Sequence, residues 1–512
     1  MRILGFSHGS HDSSYCIYED GKLIVHEELE RLNRIKETDG DILEHLYNKG
    51  VSLNDFDYIT TYPHGELKFY SQTFLREFEN IKHKFVEVGH HTSHAANAYF
   101  CSGYNKALIF TIDGGGWDRL NVGLRASSFT VWYAENGKIN PLKFSDEFNL
   151  GWIWSHITTA VFKMSGGGPP YGSQAGTVMG MAAYGNADNF KHIDRQFLLK
   201  HDYSSLDNLT EQEQFDFAAR LQQLTEEVVY DLMKPYIDEY DVDSICLSGG
   251  VALNCVMTGK MKVWFDKIKN IYIPAVPYDA GLAIGCVQYL YHQLMENSID
   301  ENDLQNSPYL GIPYSIDDVK NTIEKYSEQV QFGESSYKEI CELLQNENII
   351  SLFNGKSESG RRALGNRSII ADPRNNNIRE VVNHKTKHRQ WFRPFAPSIL
   401  EDKTSEWFVD NVFSPYMSFA IQFKEDKKQL VPAVVHKDGT GRLQTVSKKL
   451  NPNYYELISE WERQTGVPIV LNTSFNDKEP IVETPEDAIK CFLKTKIDYL
   501  YFVEYNLLIT KK

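Results

Sequence analysis

Apolar and polar residues alternate through "RILGFSH" (2–8), "SSYCIYED" (13–20) and "KLIVHEEL" (22–29), with Asp20-Gly21 between the last two. A period of two sends successive side chains to opposite faces of a strand, and Asp-Gly favours the tight turn of a hairpin, so the chain is predicted to open as strand, turn, strand. Two later segments, "KALIFTIDGGG" (106–116) and "DSICLSGGV" (243–251), are apolar strands that run into glycine. The second continues into "ALNCVMTGKMKVWF" (252–265), which has helical spacing, and "VGHHTSHAANA" (88–98) reads as a further helix. A strand, a glycine turn and a helix N-terminus in succession form a phosphate cradle, and the mixture of periods predicts an α/β fold. A polar stretch, "FGESSYKE" (332–339), precedes a region of different composition and places a domain boundary at about 335, giving domains 1–335 and 336–512.

Composition narrows the class. A chain of 512 residues is too long for one core, and 42% hydrophobic with 24% charged residues is the balance of a globular protein. No apolar run approaches the roughly 18 residues a membrane span requires, and the N-terminus lacks a signal peptide's basic start and apolar stretch. The seven cysteines are dispersed without a C-x-x-C pair, as reduced core thiols would be, so a cytoplasmic protein without a membrane partner is expected. A net charge of −16 disfavours nucleic acid on average. Residues 356–395 depart from that average. Lys356, Arg361, Arg362, Arg367, Arg374, Arg379, Lys385, Lys387, Arg389 and Arg393 stand there against Glu358, Asp372 and Glu380, interleaved with Gly, Ala, Pro and aromatic residues, a pattern suited to an anion site on ordered backbone.

Three groups of residues carry candidate chemistry. His90 and His94, four apart on the expected helix, project from one face either as a metal-binding pair or as part of a hydrogen-bonded helix start. Asp113 and Asp279 are carboxylates at glycine turns, and with the two histidines would make a nitrogen–oxygen site for a divalent transition metal. In "SGGVALN", Gly249 and Gly250 let backbone approach a phosphate or ribose and Asn254 can hydrogen-bond a nucleotide, unless the pair is simply a turn. His11, followed by Asp12, is either a general base for an alcohol or a structural histidine. The third group, "SESGRRALGNRS", "KHRQWFRPFAP", "HKDGTGRLQTV" and "LNTSFN", holds the arginines and small polar residues that binding of phosphates would require.

From "HDSS" to "NTSFNDKEPIVETPEDAI" the chain resembles the O-carbamoyltransferases of antibiotic and nodulation-factor biosynthesis. The resemblance implies an actin-like, sugar-kinase-like duplicated first domain and an α/β YrdC-like second domain that forms carbamoyl adenylate. It implies ATP and carbamoyl phosphate as substrates, Mg2+ with ATP, and a divalent metal, usually Fe2+ with Mn2+ or Zn2+ as alternatives, held by His90, His94, Asp113 and Asp279. His11 would assist deprotonation of the acceptor hydroxyl, and Arg362, Lys387, Arg393, Arg442, Asn472 and Ser474 would contact the nucleotide and carbamoyl phosphate, with Lys387 and Arg393 catalytic. Thr177, Arg361 and Gln390 depart from the family pattern and bear on acceptor choice and nucleotide affinity rather than on reaction type. The implied acceptor is a hydroxyl-bearing small molecule (a sugar, antibiotic or nucleoside), with a hydroxymethylated pyrimidine in viral DNA as an alternative and a monomer or homodimer as the acting form. Threonylcarbamoyl transfer to tRNA is disfavoured by the fused arginine-rich domain, which a non-enzymatic actin-like nucleotide-binding protein would leave without a role.

Overall fold

The computed structural model describes residues 1–9, 11–64, 70–120, 123–164, 174–299 and 306–512, and they group into two compact units, Met1–Ser307 and Pro308–Lys512. In the first unit the alternating segments form the expected antiparallel ladder of Arg2–Ser7 (β1), Ser14–Glu19 (β2) and Lys22–Glu28 (β3). Tyr58–Thr61 (β4) and Phe85–Glu87 (β5) add in parallel on the other side of β1, for an order β3-β2-β1-β4-β5. A second sheet is built from Lys106–Leu120 (β6), Gly123–Glu135 (β7), Lys138–Ser145 (β8), Ser244–Ser248 (β9) and Asn270–Tyr272 (β10), in the order β10-β9-β6-β7-β8. Here too the first three strands are antiparallel and the last two parallel to the first. The same order with the same directions marks an internal duplication.

The helix expected at 88–98 is His90–Phe100 (α1), with every residue buried. Other helices of this unit are Leu150–Ala160 (α2), Glu211–Glu239 (α3) and Leu282–Gln288 (α4). α1 and α4 cross at backbone contact: a Cβ on Gly285 would fall 1.8 Å from the Ser93 carbonyl oxygen, so glycine is required for the approach. The helix expected over 252–265 is instead a 3-10 turn at Gly250–Leu253 followed by two short pieces, Cys255–Gly259 and Met261–Trp264, interrupted at Lys260 just after a glycine.

The second unit is one mixed sheet of nine strands: Val330–Glu334 (β11), Ile350–Phe353 (β12), Arg367–Ala371 (β13), Ala396–Leu400 (β14), Phe419–Gln422 (β15), Thr440–Val446 (β16), Ile469–Ser474 (β17), Tyr499–Phe502 (β18) and Leu507–Lys511 (β19). Their order is β11-β19-β18-β12-β13-β17-β14-β16-β15. Helices Tyr337–Gln345 (α5), Pro452–Thr465 (α6) and Pro485–Lys494 (α7) belong to this unit, and Ile340, Leu344, Leu457, Ile458 and Trp461 of α5 and α6 pack on Ile350, Ile370, Val470 and Tyr501 of the sheet. The sequence marks α6 at both ends, with Asn451 as cap, Pro452 in the first turn and Gly466 closing it at φ +72°.

The units divide at Ser307/Pro308, earlier than the expected boundary at about 335. β11 pairs along its length with β19, so residues 308–335 belong to the second unit. Gln331–Glu334 are exposed on this edge strand, which accounts for the linker-like polarity of "FGESSYKE". All seven cysteines are buried and free, and burial raises the Cys101, Cys246, Cys286, Cys341 and Cys491 thiols to about 12, as core thiols rather than nucleophiles. Among the described residues no helix is long and apolar enough to cross a membrane.

Candidate metal centre and arginine-rich site

α1 carries His90 and His94 one turn apart with their rings 4.9 Å between centroids, and β6 and the turn before α4 bring Asp113 and Asp279 against them. His90 Nε2 lies 3.1 Å from Asp113 Oδ2 and 3.8 Å from Asp279 Oδ1; His94 Nε2 lies 3.7 and 3.6 Å from the same oxygens. One ligand atom from each of the four lies within 4.8 Å of every other. The glycines after Asp113 serve this geometry. The β6–β7 ladder breaks between Ile112 and Gly116, bulging the strand at Asp113, and a Cβ on Gly116 would fall 2.1 Å from His90 Cγ. Gly116→Ala therefore displaces His90, and metal affinity is expected to drop on the order of a hundredfold in a folded protein, measured by competition with a fluorescent chelator.

The residues fit a divalent metal. His94 Nε2 is buried, has no hydrogen-bond partner and faces both carboxylates, while His94 Nδ1 is 3.3 Å from Ser248 Oγ, whose hydroxyl donates to the Pro277 carbonyl. That second contact fixes the ring and leaves Nε2 for a ligand bond. Burial opposes charge on both groups, yet the nearby Asp113 and Asp279 carboxylates raise His94 to about 9, and His90 and His94 hold Asp113 well below the ordinary carboxylate range. The cluster thus favours positive charge at its centre, and a two-nitrogen, two-oxygen set suits a first-row divalent ion.

His91, next to His90 on α1, points elsewhere: Nδ1 is 2.6 Å from Thr111 Oγ1 and Nε2 2.7 Å from the Ser127 carbonyl. Burial and then the charge of His90 push it down to about 4, below the 6.5 of an ordinary histidine. Its neutral form is therefore favoured by folding, so the contribution is complete above pH 6.5 and is lost as pH falls towards 4. Urea unfolding is expected to show stability falling over that window, and His91→Gln should make the fall shallower by roughly 2 kcal/mol. A residue that sequence reasoning missed, Asp118, supports the same helix. Its carboxylate accepts the N–H groups of His91 and Thr92, both at 3.0 Å, and the Thr92 hydroxyl at 2.8 Å, capping a helix that begins after Gly89 without a side-chain cap of its own.

His11 joins this cluster. Its Nδ1 is 2.8 Å from Asp12 Oδ2 and its Nε2 3.7 Å from Asp279 Oδ2, so a carboxylate orients the ring as general-base chemistry requires. Gly249, at φ +90°, lies where a Cβ would be 2.2 Å from the Ile112 carbonyl; its N–H donates to Pro277 O, and that of Gly250 donates to Asp113 Oδ1 at 2.7 Å. The N–H groups expected to cradle phosphate thus meet protein oxygens, that of Gly249 a carbonyl and that of Gly250 the Asp113 carboxylate. Asn254 caps the following helix and exchanges amide hydrogen bonds with Gln222, so its side chain holds α3.

In the second unit, buried Lys387 donates from Nζ to the Ser474 carbonyl at 2.8 Å, the Ser474 hydroxyl at 3.2 Å and the Asn476 carbonyl at 2.6 Å, and also meets Asn476 Oδ1. Arginines converge nearby. Burial and then the charge of Arg362 lower Arg393 to about 10, while burial and the charges of Arg393 and Arg442 push Arg389 well below the usual guanidinium range. Like charges held together in a partly buried place favour a polyanion. Arg389 donates to Asn383 Oδ1 at 2.7 Å and to the Pro394 carbonyl at 3.4 Å, and lies 4.6 Å from the Phe395 ring centre. Asn472 is fully buried, donating to Ala363 O, Ser398 Oγ and Gln444 Oε1, and so ties β17 to β14, β16 and the segment after Arg362. Arg367 and Glu358 of the basic stretch are structural: the fully buried guanidinium donates to the carbonyls of Asn354, Gly355, Asn366 and Glu483, and Glu358 accepts the N–H of Leu364.

A duplicated α/β unit with a metal-type ligand set and an oriented histidine, joined in one chain to a unit of converging arginines, has the parts of a group-transfer enzyme. Comparison with known proteins identifies the group. Residues 193–287 match the family model described as carbamoyltransferase N-terminus and residues 341–511 the one described as carbamoyltransferase C-terminus. An uncharacterized protein of Synechocystis is 31% identical over 99% of this chain and 96% of its own length. The nodulation protein NolNO of Sinorhizobium fredii is 31% identical over 97% and 78%, and NolO of Bradyrhizobium diazoefficiens 33% over 81% and 77%. The chain belongs to the carbamoyltransferase family and is a transferase enzyme. Likeness to solved structures is weaker: HypF of T. kodakarensis aligns at a TM-score of 0.41 and 12% identity, covering 59% of this chain and 49% of that one. An activator of 2-hydroxyisocaproyl-CoA dehydratase from Clostridium difficile, with bound ADPNP, aligns at 0.36 and 15%, covering 58% and 96%.

Proposed function

We propose that this enzyme is an ATP-dependent O-carbamoyltransferase that makes carbamoyl adenylate in its second, YrdC-like unit and delivers the carbamoyl group to an acceptor hydroxyl in its first, actin-like unit. The observation that carries the reading is the separation of two chemistries by unit: converging arginines with Lys387 in one, and the His/Asp cluster beside His11 in the other. Carbamate, freed from carbamoyl phosphate by water with loss of phosphate, attacks the α-phosphorus of ATP, and the bond to the β-phosphate breaks. Arg362, Arg389, Arg393 and Arg442 offset the charge growing on the departing pyrophosphate, and Lys387, set on the Ser474 backbone, is placed to hold a phosphate oxygen.

In the first unit His90, His94, Asp113 and Asp279 would hold the divalent metal, Fe2+ by family habit, which when bound supplies Lewis acidity towards the nucleotide phosphate and the carbamoyl oxygen. His11 takes the proton of the acceptor hydroxyl at Nε2 while Asp12 fixes the other nitrogen; the alkoxide oxygen bonds to the carbamoyl carbon and AMP leaves. We place the enzyme in the cytoplasm, where ATP and carbamoyl phosphate are supplied, with a hydroxyl-bearing small molecule as its acceptor. Exchange of labelled pyrophosphate into ATP that depends on added carbamoyl phosphate tests the first half-reaction; exchange that is absent, or that proceeds without carbamoyl phosphate, refutes it.

A further inference from the structure

Between Ile378 and Arg393 the backbone twice departs from regular geometry, and one buried amide spans both departures. The short helix Ile378–Val381 widens into a π turn at Val382–Thr386, closed by the Lys387 N–H on the Val382 carbonyl at 2.9 Å. His388 then takes φ +43°, in the left-handed region that a residue with a Cβ avoids, with its Nδ1 3.0 Å from Asp477 Oδ1. Asn383 lies in the π turn and is 1% exposed. Its Oδ1 accepts from Arg389 Nε at 2.7 Å, and its own carbonyl accepts the Arg389 N–H at 3.1 Å. Its Nδ2 donates to the Arg393 carbonyl at 3.2 Å and to the Trp391 carbonyl at 3.4 Å. The two arginines tied to it are not answered as Arg367 is. Among the described residues Arg389 Nη1 has no hydrogen-bond partner, and the Arg393 guanidinium has none at any nitrogen.

We propose that Asn383 is a positioning residue of the transfer reaction, one that aims the Arg389 and Arg393 guanidinium groups into a single anion site without placing a negative charge among them. The inference deepens the reading that these arginines meet pyrophosphate, and rests on it. Like charges confined together separate unless something holds them, and long side chains lose much rotamer freedom when held. The amide deals with both arginines at once. Its oxygen, the Pro394 carbonyl and the Phe395 ring at 4.6 Å fix the plane of Arg389 and leave Nη1 for a ligand, while its nitrogen fixes the backbone from which Arg393 projects. An aspartate here would also hold Arg389 Nε, but its charge would cancel part of the attraction for an anion, and its oxygens would face the Trp391 and Arg393 carbonyls. An apolar side chain would hold neither. Burial and the neighbouring Arg393 and Arg442 already oppose charge on Arg389, so an incoming anion gains from a cation whose confinement the fold has met in advance.

The test uses the full-length enzyme with inorganic pyrophosphate as probe, binding being read by titration calorimetry and carbamoyl phosphate-dependent exchange alongside it. Asn383→Ala is expected to weaken pyrophosphate binding roughly thirtyfold and to raise the KM for pyrophosphate in exchange by a similar factor. Asn383→Asp keeps the volume and the bond to Arg389 Nε, yet should weaken binding at least as much. In Arg389→Ala protein the added Asn383→Ala change should weaken binding by less than about fivefold, because one group it acts through is gone. A purely structural amide gives the reverse pattern: the aspartate variant milder than alanine, and an equal loss with and without Arg389. Melting temperature and the metal content of the first unit report folding, and Asn383→Ser takes the place of Asn383→Ala should the latter not fold. Binding within about threefold of wild type in a folded variant, or a loss undiminished in Arg389→Ala protein, overturns the proposal. Pyrophosphate binding needs no carbamoyl phosphate, so it judges Asn383 even where the wild type fails to exchange, a failure that counts against the parent reading alone. A wild type that does not bind pyrophosphate removes both.

Discussion

Arg393→Ala is expected to lower carbamoyl phosphate-dependent pyrophosphate exchange on the order of a thousandfold, while the first unit keeps its metal. The guanidinium is partly buried and its pKa is lowered to about 10 by burial and by Arg362, so it already bears the cost of confinement among like charges that only an arriving polyanion relieves. Removing it deletes a fixed positive charge where pyrophosphate charge develops. Arg393→Lys should recover little, since an ammonium cannot reproduce the planar, two-pronged contact. Retention of more than about a tenth of the exchange rate in folded Arg393→Ala would mean that the arginine cluster serves solubility or structure instead.

The second large effect is expected at Asp279. Its carboxylate faces His90, His94 and His11 at 3.6 to 3.8 Å, so Asp279→Asn keeps the volume and removes the charge. Metal content after dialysis should fall from about one ion per chain to below about a tenth, and carbamoyl transfer should fall on the order of a thousandfold, with pyrophosphate exchange within about twofold of wild type. Readdition of excess metal should restore part of the transfer. A variant that retains metal and transfer would remove Asp279 from the ligand set.

The metal-type cluster was legible because each of its residues obeys a local rule: two histidines one helical turn apart, a carboxylate before a run of glycines that bulges its strand, another at the head of a helix. What assembles across the fold was not. Asp118 caps α1 from a strand whose sequence position says nothing of helices. Within the basic stretch every cation looks alike in sequence. Hydrogen bonding to four carbonyls sets Arg367 apart from Arg389 and Arg393, which repel one another, and no spacing rule reports such partners. The glycine pair at 249–250 has the pattern of a phosphate turn, and its freedom also serves a close approach to β6, because one local pattern suits both ends. The edge strand β11 misled the boundary for a related reason: an exposed edge carries the polarity of a linker while its backbone is fully paired on one side.

The division of labour between the two units is tested most directly by rapid quench of His90→Ala with carbon-labelled carbamoyl phosphate and α-phosphate-labelled ATP, in the presence of an acceptor. The account predicts that a species carrying both labels, carbamoyl adenylate, builds up to a substantial fraction of the enzyme present while no label reaches the acceptor. Absence of the doubly labelled species in folded His90→Ala, or label on the acceptor at the wild-type rate, would contradict it.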